Sequence, residues 1–168
     1  MFKSPVNLSD IESNVLKELF LYWCKIRGAR SIPRRKDFRP IDVPHLLPYI
    51  AMVNVEQDTK KYQIRLVGTE TAEVTGKSII GQYLDDIPGM SKSVDRFDWV
   101  VKEKLPYLYH GRLSWSEKDF LEYDALGLPF SNDNFAVNII MAGLVYSFPS
   151  ETVCEETEAS CLWERFGR

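Results

Sequence analysis

The side chains that could do chemistry are few, and their spacing favours binding over catalysis. The 168 residues contain no Gly-x-Ser-x-Gly elbow and no phosphate loop. Cys24, Cys154 and Cys161 are odd in number and fit no zinc or thioredoxin spacing, so reduced thiols are expected. His45 lies among prolines and His110 beside Tyr109. Neither joins a His/Cys/carboxylate cluster with metal-ligand spacing. Asp85 and Asp86 precede Pro88, where a turn explains them. A general base needs a positioned partner, and none is visible. No catalytic residue and no metal ligand is therefore expected, and the chain reads as a non-enzyme.

Candidates for binding are clearer. Arg65 sits mid-strand between Ile64 and Leu66. It is either a clamp for an anion or carbonyl, which its planar fork suits, or one half of a surface ion pair with Asp37 or Glu12. Pockets are mostly apolar with a few oriented polar groups. Tyr62, Tyr83, Trp99, Tyr107, Tyr109, Trp115 and Tyr123 could line one or simply fill a core. Trp99 lies off its helix stripe and Tyr62 faces inward, so these two are the first choices. The candidate ligand set is Tyr62, Arg65, Tyr83, Trp99, Tyr109, His110 and Tyr123.

The charge is unevenly spread. Net charge is −3, yet residues 1–50 carry nine Lys/Arg against five Asp/Glu. The basic cluster from Lys25 to Arg39 suits a phosphate or acidic partner, or complements a helix C-terminus. Overall acidity argues against a nucleic-acid binder. The longest apolar run, Ile139 to Tyr146, has eight residues, against about 20 for a membrane-spanning helix. No signal-peptide pattern opens the sequence, so a cytoplasmic protein without membrane association is expected.

The elements that must position these residues follow from periodicity. A helix is expected from Ser9 to Arg27, with Ser9 and Glu12 as a capping box and Gly28 as its stop. Its apolar residues cover about half the circumference, enough for a sheet on one side and a partner subunit on the other. Leu16, Leu19, Phe20 and Trp23 are the interface candidates, in a homodimer. A Pro- and Arg-rich connector, Ser31 to Pro48, should be irregular. Tyr49–Val55 and Lys61–Val67 read as a hairpin, with Tyr62, Ile64 and Leu66 on one face. A short helix, Glu70–Thr75, is capped by Thr69. A longer helix, Ser91–Leu105, carries the stripe Val94, Phe97, Val101 and Leu105. Strands follow at Tyr107–Trp115, Phe120–Leu128 and Phe135–Ser147. The last is apolar on both faces, hence central. The result is an α+β domain with one five-stranded antiparallel sheet. Mid-chain helices cover one face and the N-terminal helix the other.

This order of elements is that of PAS domains. The residues also resemble a bacterial subfamily in which a PAS core follows an N-terminal helix. The likeness runs through Tyr22-Trp23, Arg27-Gly28-Ala29-Arg30, Ile32-Pro33, Pro40 and Leu46-Leu47-Pro48. It continues in Tyr62-Gln63-Ile64-Arg65-Leu66-Val67-Gly68-Thr69, Gly76, Ile80-Gly81 and Leu128-Pro129-Phe130, spanning about residues 15–147. The expected division is residues 1–30 as a helix packed on the core, 31–148 as the PAS core and 149–168 as an acidic tail. That tail is expected to be partly disordered or to form a short helix carrying Leu162, Trp163 and Phe166. The resemblance implies a sensory module that binds a small ligand and signals in trans to a partner protein, or alternatively a constitutive adaptor without ligand. Some PAS sensors hold haem, for which only His45 and His110 are available. Flavin photosensors need a cysteine beside the chromophore, and none lies between Cys24 and Cys154. Haem and flavin are therefore not expected, and the ligand is not named by the sequence.

Overall fold

The computed structural model describes residues 1–149. The acidic segment beyond, with Cys154, Cys161 and the helix expected near Leu162, lies outside the described residues. Helix α1 spans Asn14–Arg27 and is capped by Ser13, whose side chain accepts from the Leu16 N–H at 3.4 Å. The expected start at Ser9 is corrected. Leu8–Asp10 form a separate 3-10 turn, where Asp10 Oδ2 accepts from the Asn7 N–H at 2.9 Å. The break has a packing cause. Ile11 is fully buried, so the chain must dive into the core before the helix begins. Gly28 ends α1 at φ +58°, its N–H donating to the Cys24 carbonyl.

Six strands form one antiparallel sheet: β1 (Phe2–Lys3), β2 (Ile50–Val55), β3 (Tyr62–Val67), β4 (Tyr107–Arg112), β5 (Glu122–Phe130) and β6 (Ile139–Ser147). Their spatial order is β1-β4-β5-β6-β2-β3. Five strands were expected. The sixth comes from the extreme N-terminus, which pairs Phe2 with Tyr109 along the otherwise open edge of β4. Strand β6 lies between β5 and β2, as its two apolar faces require.

One glycine separates the two faces. Ala142 and Leu144 border a cavity on one side of β6. Between them, a Cβ on Gly143 would come within 2.6 Å of Leu19 and 2.9 Å of Leu16. The side chains of α1 thus occupy the space a residue larger than glycine would need. Leu16, Leu19 and Trp23 are almost wholly buried within this chain, and the Trp23 indole donates to the Pro129 carbonyl at 3.0 Å. Three of the four interface candidates are therefore committed to the chain's own core, and only Phe20 is part-exposed.

The hairpin β2–β3 departs from simple alternation. Met52 pairs with Leu66 but Val53 with Ile64, so Arg65 is an extra, unpaired residue. The bulge turns Leu66 outward, 43% exposed, and brings Val67 to the cavity instead. Helix α2 spans Thr69–Thr75 with Gly68, not Thr69, at its N-cap. The Gly68 site is crowded: a Cβ there would lie 2.2 Å from the Pro48 carbonyl oxygen. Helix α3 spans Ser91–Glu103 and stops at Lys104, before the expected Leu105. Its buried side is Ser93, Arg96, Phe97 and Val100, a rotation away from the expected stripe, and Leu105 is exposed. The Pro-rich connector forms three 3-10 turns, at Arg35–Asp37, Pro40–Asp42 and Pro44–Tyr49.

No helix among the described residues is long and apolar enough to cross a membrane. Two outcomes test the packing. Leu19→Ala should cost about 2–5 kcal/mol by urea unfolding, as for a fully buried leucine. Asp133 accepts the Phe135 and Ala136 N–H groups in the β5–β6 turn, which holds its carboxyl down to about 2. Its stabilising contribution is therefore present above its unfolded-state range, about 3.9, and lost as pH falls toward 2. Asp133→Asn should remove that acid-side slope in denaturation measured from pH 5 to 2.

Candidate functional site

The cavity exists because its floor is made of small residues. Ala51 on β2 stands directly opposite Ala142 on β6, and Ala125 lies on the neighbouring β5. Helices α2 and α3 and the loop between them form the roof, with Thr71, Ile79, Leu84, Met90 and Phe97. The cavity, partly open to solvent, has a volume of about 60 Å³. A site for one water needs about 10–15 Å³ on this measure, so several small groups fit.

One charged side chain enters this apolar space. Arg96 of α3 is only 9% exposed. Its Nη2 donates to Ser93 Oγ at 2.8 Å and to the Tyr123 hydroxyl at 3.0 Å. Its guanidinium carbon sits 3.9 Å from the centre of the Tyr109 ring. Such cation–π stacking is most effective when desolvated. Among the described residues its Nε is buried without a partner, and so is the indole nitrogen of Trp115, another cavity residue. Among the described residues no ion pair involves Arg96. Of its helix neighbours, Asp98 accepts instead from the Tyr62 hydroxyl at 2.5 Å, and Asp95 is exposed.

Burial pushes the hydroxyls of Tyr123 and Tyr107 upward, with Arg96 pulling back against that shift, so both phenols remain protonated at neutral pH. Tyr146 is pushed up to about 12 by burial and donates to Thr71 at 3.0 Å. The site is thus lined without a carboxylate and is rich in hydrogen-bond donors. It can hold a small molecule that accepts hydrogen bonds. Nothing in it is arranged as a nucleophile and base.

The candidate residues divide sharply. Tyr123 lines the cavity, and Tyr109 lies against Arg96 and Tyr123. The other five point elsewhere. Tyr62 is buried edge-on to Phe97 and tied to Asp98, outside the cavity lining. Tyr83 donates to Glu56 at 2.7 Å. Trp99 packs edge-on against Phe2 on the sheet's outer rim. His110 is exposed between Asp124 at 2.8 Å and Glu122 at 3.6 Å. Arg65 is exposed on the bulge; burial first, and the nearby charge of Arg65 second, lower the proton affinity of Arg35. Asp37 is taken by Arg30 at 2.7 Å and so is not the partner of Arg65. Among the described residues no three His, Cys, Asp or Glu side chains gather as a metal site. Trp115 and Tyr107, considered above as pocket aromatics outside the ligand set, do line the cavity, whereas Arg96 was not among the candidates. The available signal was the quartet Ser93, Arg96, Phe97 and Val100, which shares a helix face at i, i+3, i+4, i+7 but carries two polar members.

An antiparallel sheet roofed on one face by helices over a small cavity defines an α+β sensory or interaction module. A family model described as a PAS domain matches residues 11–144, and the chain belongs to the PAS domain family. No curated protein and no solved structure matches it.

Tyr123→Phe deletes the acceptor for Arg96 and leaves a buried charged donor short of a partner. It should cost about 1–3 kcal/mol in urea unfolding with an unchanged m-value.

Proposed function

We propose that this PAS domain is a sensory module that binds a small molecule in the cavity between sheet and helices and passes that occupancy to a partner protein. The observation that carries the reading is the buried Arg96, incompletely satisfied among the described residues, bordering an apolar cavity. A core built only for stability gains nothing from a charge held there without a carboxylate. A filled core, as a pure adaptor would have, gains nothing from three alanines beneath a void.

The relay is supported by the way β6 touches both sides. Ala142 and Leu144 meet the cavity, while the neighbouring Gly143 meets α1. The outer surface of α1 presents Leu21, 52% exposed, and part-exposed Phe20 as an apolar contact for a partner or a second copy.

Native mass spectrometry of freshly purified protein tests the reading. A small added mass is expected in the parent chain and should be absent from Ala142→Leu, whose extra methylenes fill the void. The reading fails if Ala142→Leu remains folded and carries the same mass.

A further inference from the structure

We propose that the cavity takes a short-chain monocarboxylate, with its two oxygens on Arg96 and Trp115 and its hydrocarbon tail over Ala51 and Ala142. This rests on the reading of the cavity as a ligand site and names the chemistry of the ligand. Three observations carry it.

The first is charge. A buried guanidinium keeps its positive charge and its five donors. Arg96 uses Ser93 and Tyr123 as neutral acceptors, and no carboxylate among the described residues is paired with it. An anion is what the site lacks. The second is donor number. Of the four buried side-chain N–H groups without a partner among the described residues, two, Arg96 Nε and Trp115 Nε1, belong to cavity residues, the others being Nε of Arg27 and of Arg35. Both residues border the cavity and flank Tyr123, with the Trp115 ring 4.6 Å from that of Tyr123. Two free donors match the two oxygens of a carboxylate. A phosphate brings more oxygens and more charge than these donors satisfy. The third is size and lining. About 60 Å³ holds roughly four to six water-sized groups, room for the three atoms of a carboxylate and about one to three further carbons. Away from Arg96 the walls are aliphatic, including Val53, Ile64 and Leu144. That end suits a hydrocarbon tail and disfavours a second charged group.

The experiment follows the tryptophan indole resonances of ¹⁵N-labelled full-length protein, with the Trp115 signal assigned by Trp115→Phe. Sodium butyrate is titrated against butyramide, its uncharged isostere. Butyrate should shift the Trp115 signal saturably and bind at least about tenfold more tightly than butyramide, the difference expected for a charge-assisted contact. Arg96→Met, close in volume, should abolish that preference while the remaining indole signals stay dispersed. Arg96→Lys should keep part of it, and supplies the comparison if the methionine variant does not fold. Equal binding of butyrate and butyramide would overturn the carboxylate proposal and leave the ligand-sensing reading intact. Preference retained without the arginine would also overturn it. If neither compound binds, the carboxylate proposal falls, and the mass comparison with Ala142→Leu decides the sensory reading separately.

Discussion

A guanidinium inside an apolar cavity, without an acid to neutralise it among the described residues, constrains everything around it. Removing a charge from water costs several kcal/mol unless hydrogen bonds and polarisable groups replace the solvent. The fold supplies them from three elements: Ser93 one turn earlier on α3, Tyr123 on β5 and the face of Tyr109 on β4. These must stand in register for Arg96 to be tolerated. The helix therefore cannot rotate toward its more apolar stripe without leaving the tyrosines unpartnered. This explains why Phe97 and Val100 are buried while Val94 and Val101 are only partly so.

The aromatic residues around this charge serve as structure and polarity together. Tyr123 meets Trp115, Tyr109 and Tyr146 within one cluster. The rings fill volume, and their hydroxyls reach the few polar atoms buried with them. Gly127 leaves the space into which the Tyr107 ring folds, since a Cβ there would fall 2.1 Å from that ring. Large rings at the rim and alanines at the centre leave the void where the floor is lowest.

Much of this architecture was legible in sequence. The alternation of Phe135–Ser147, apolar on both faces, identified the central strand, because a strand with two dry sides can only lie inside a sheet. Its beginning was less legible: the strand starts at Ile139 rather than at the expected Phe135. The less legible parts depended on contacts distant in sequence. Ser13 became the cap of α1 because Ile11 had to be buried first. The Arg65 bulge broke an alternation that looked regular, and it moved Arg65 and Leu66 outward together. Trp99 stood off its stripe because Phe2, nearly a hundred residues earlier, covers it. Arg96 was overlooked for the opposite reason. Local pattern places an arginine in solvent, and only the tyrosines of β4 and β5 make its burial possible.

The meeting of Gly143 with Leu16 and Leu19 has a mechanical consequence. Protein interiors are close-packed and nearly incompressible. A side chain at 143 would act as a cushion of rotatable bonds between strand and helix, able to absorb small displacements by changing rotamer. Glycine removes it. The backbone of β6 bears directly on two leucines, so in the proposed relay a displacement imposed from beneath Ala142 would meet the helix without that cushion between the layers.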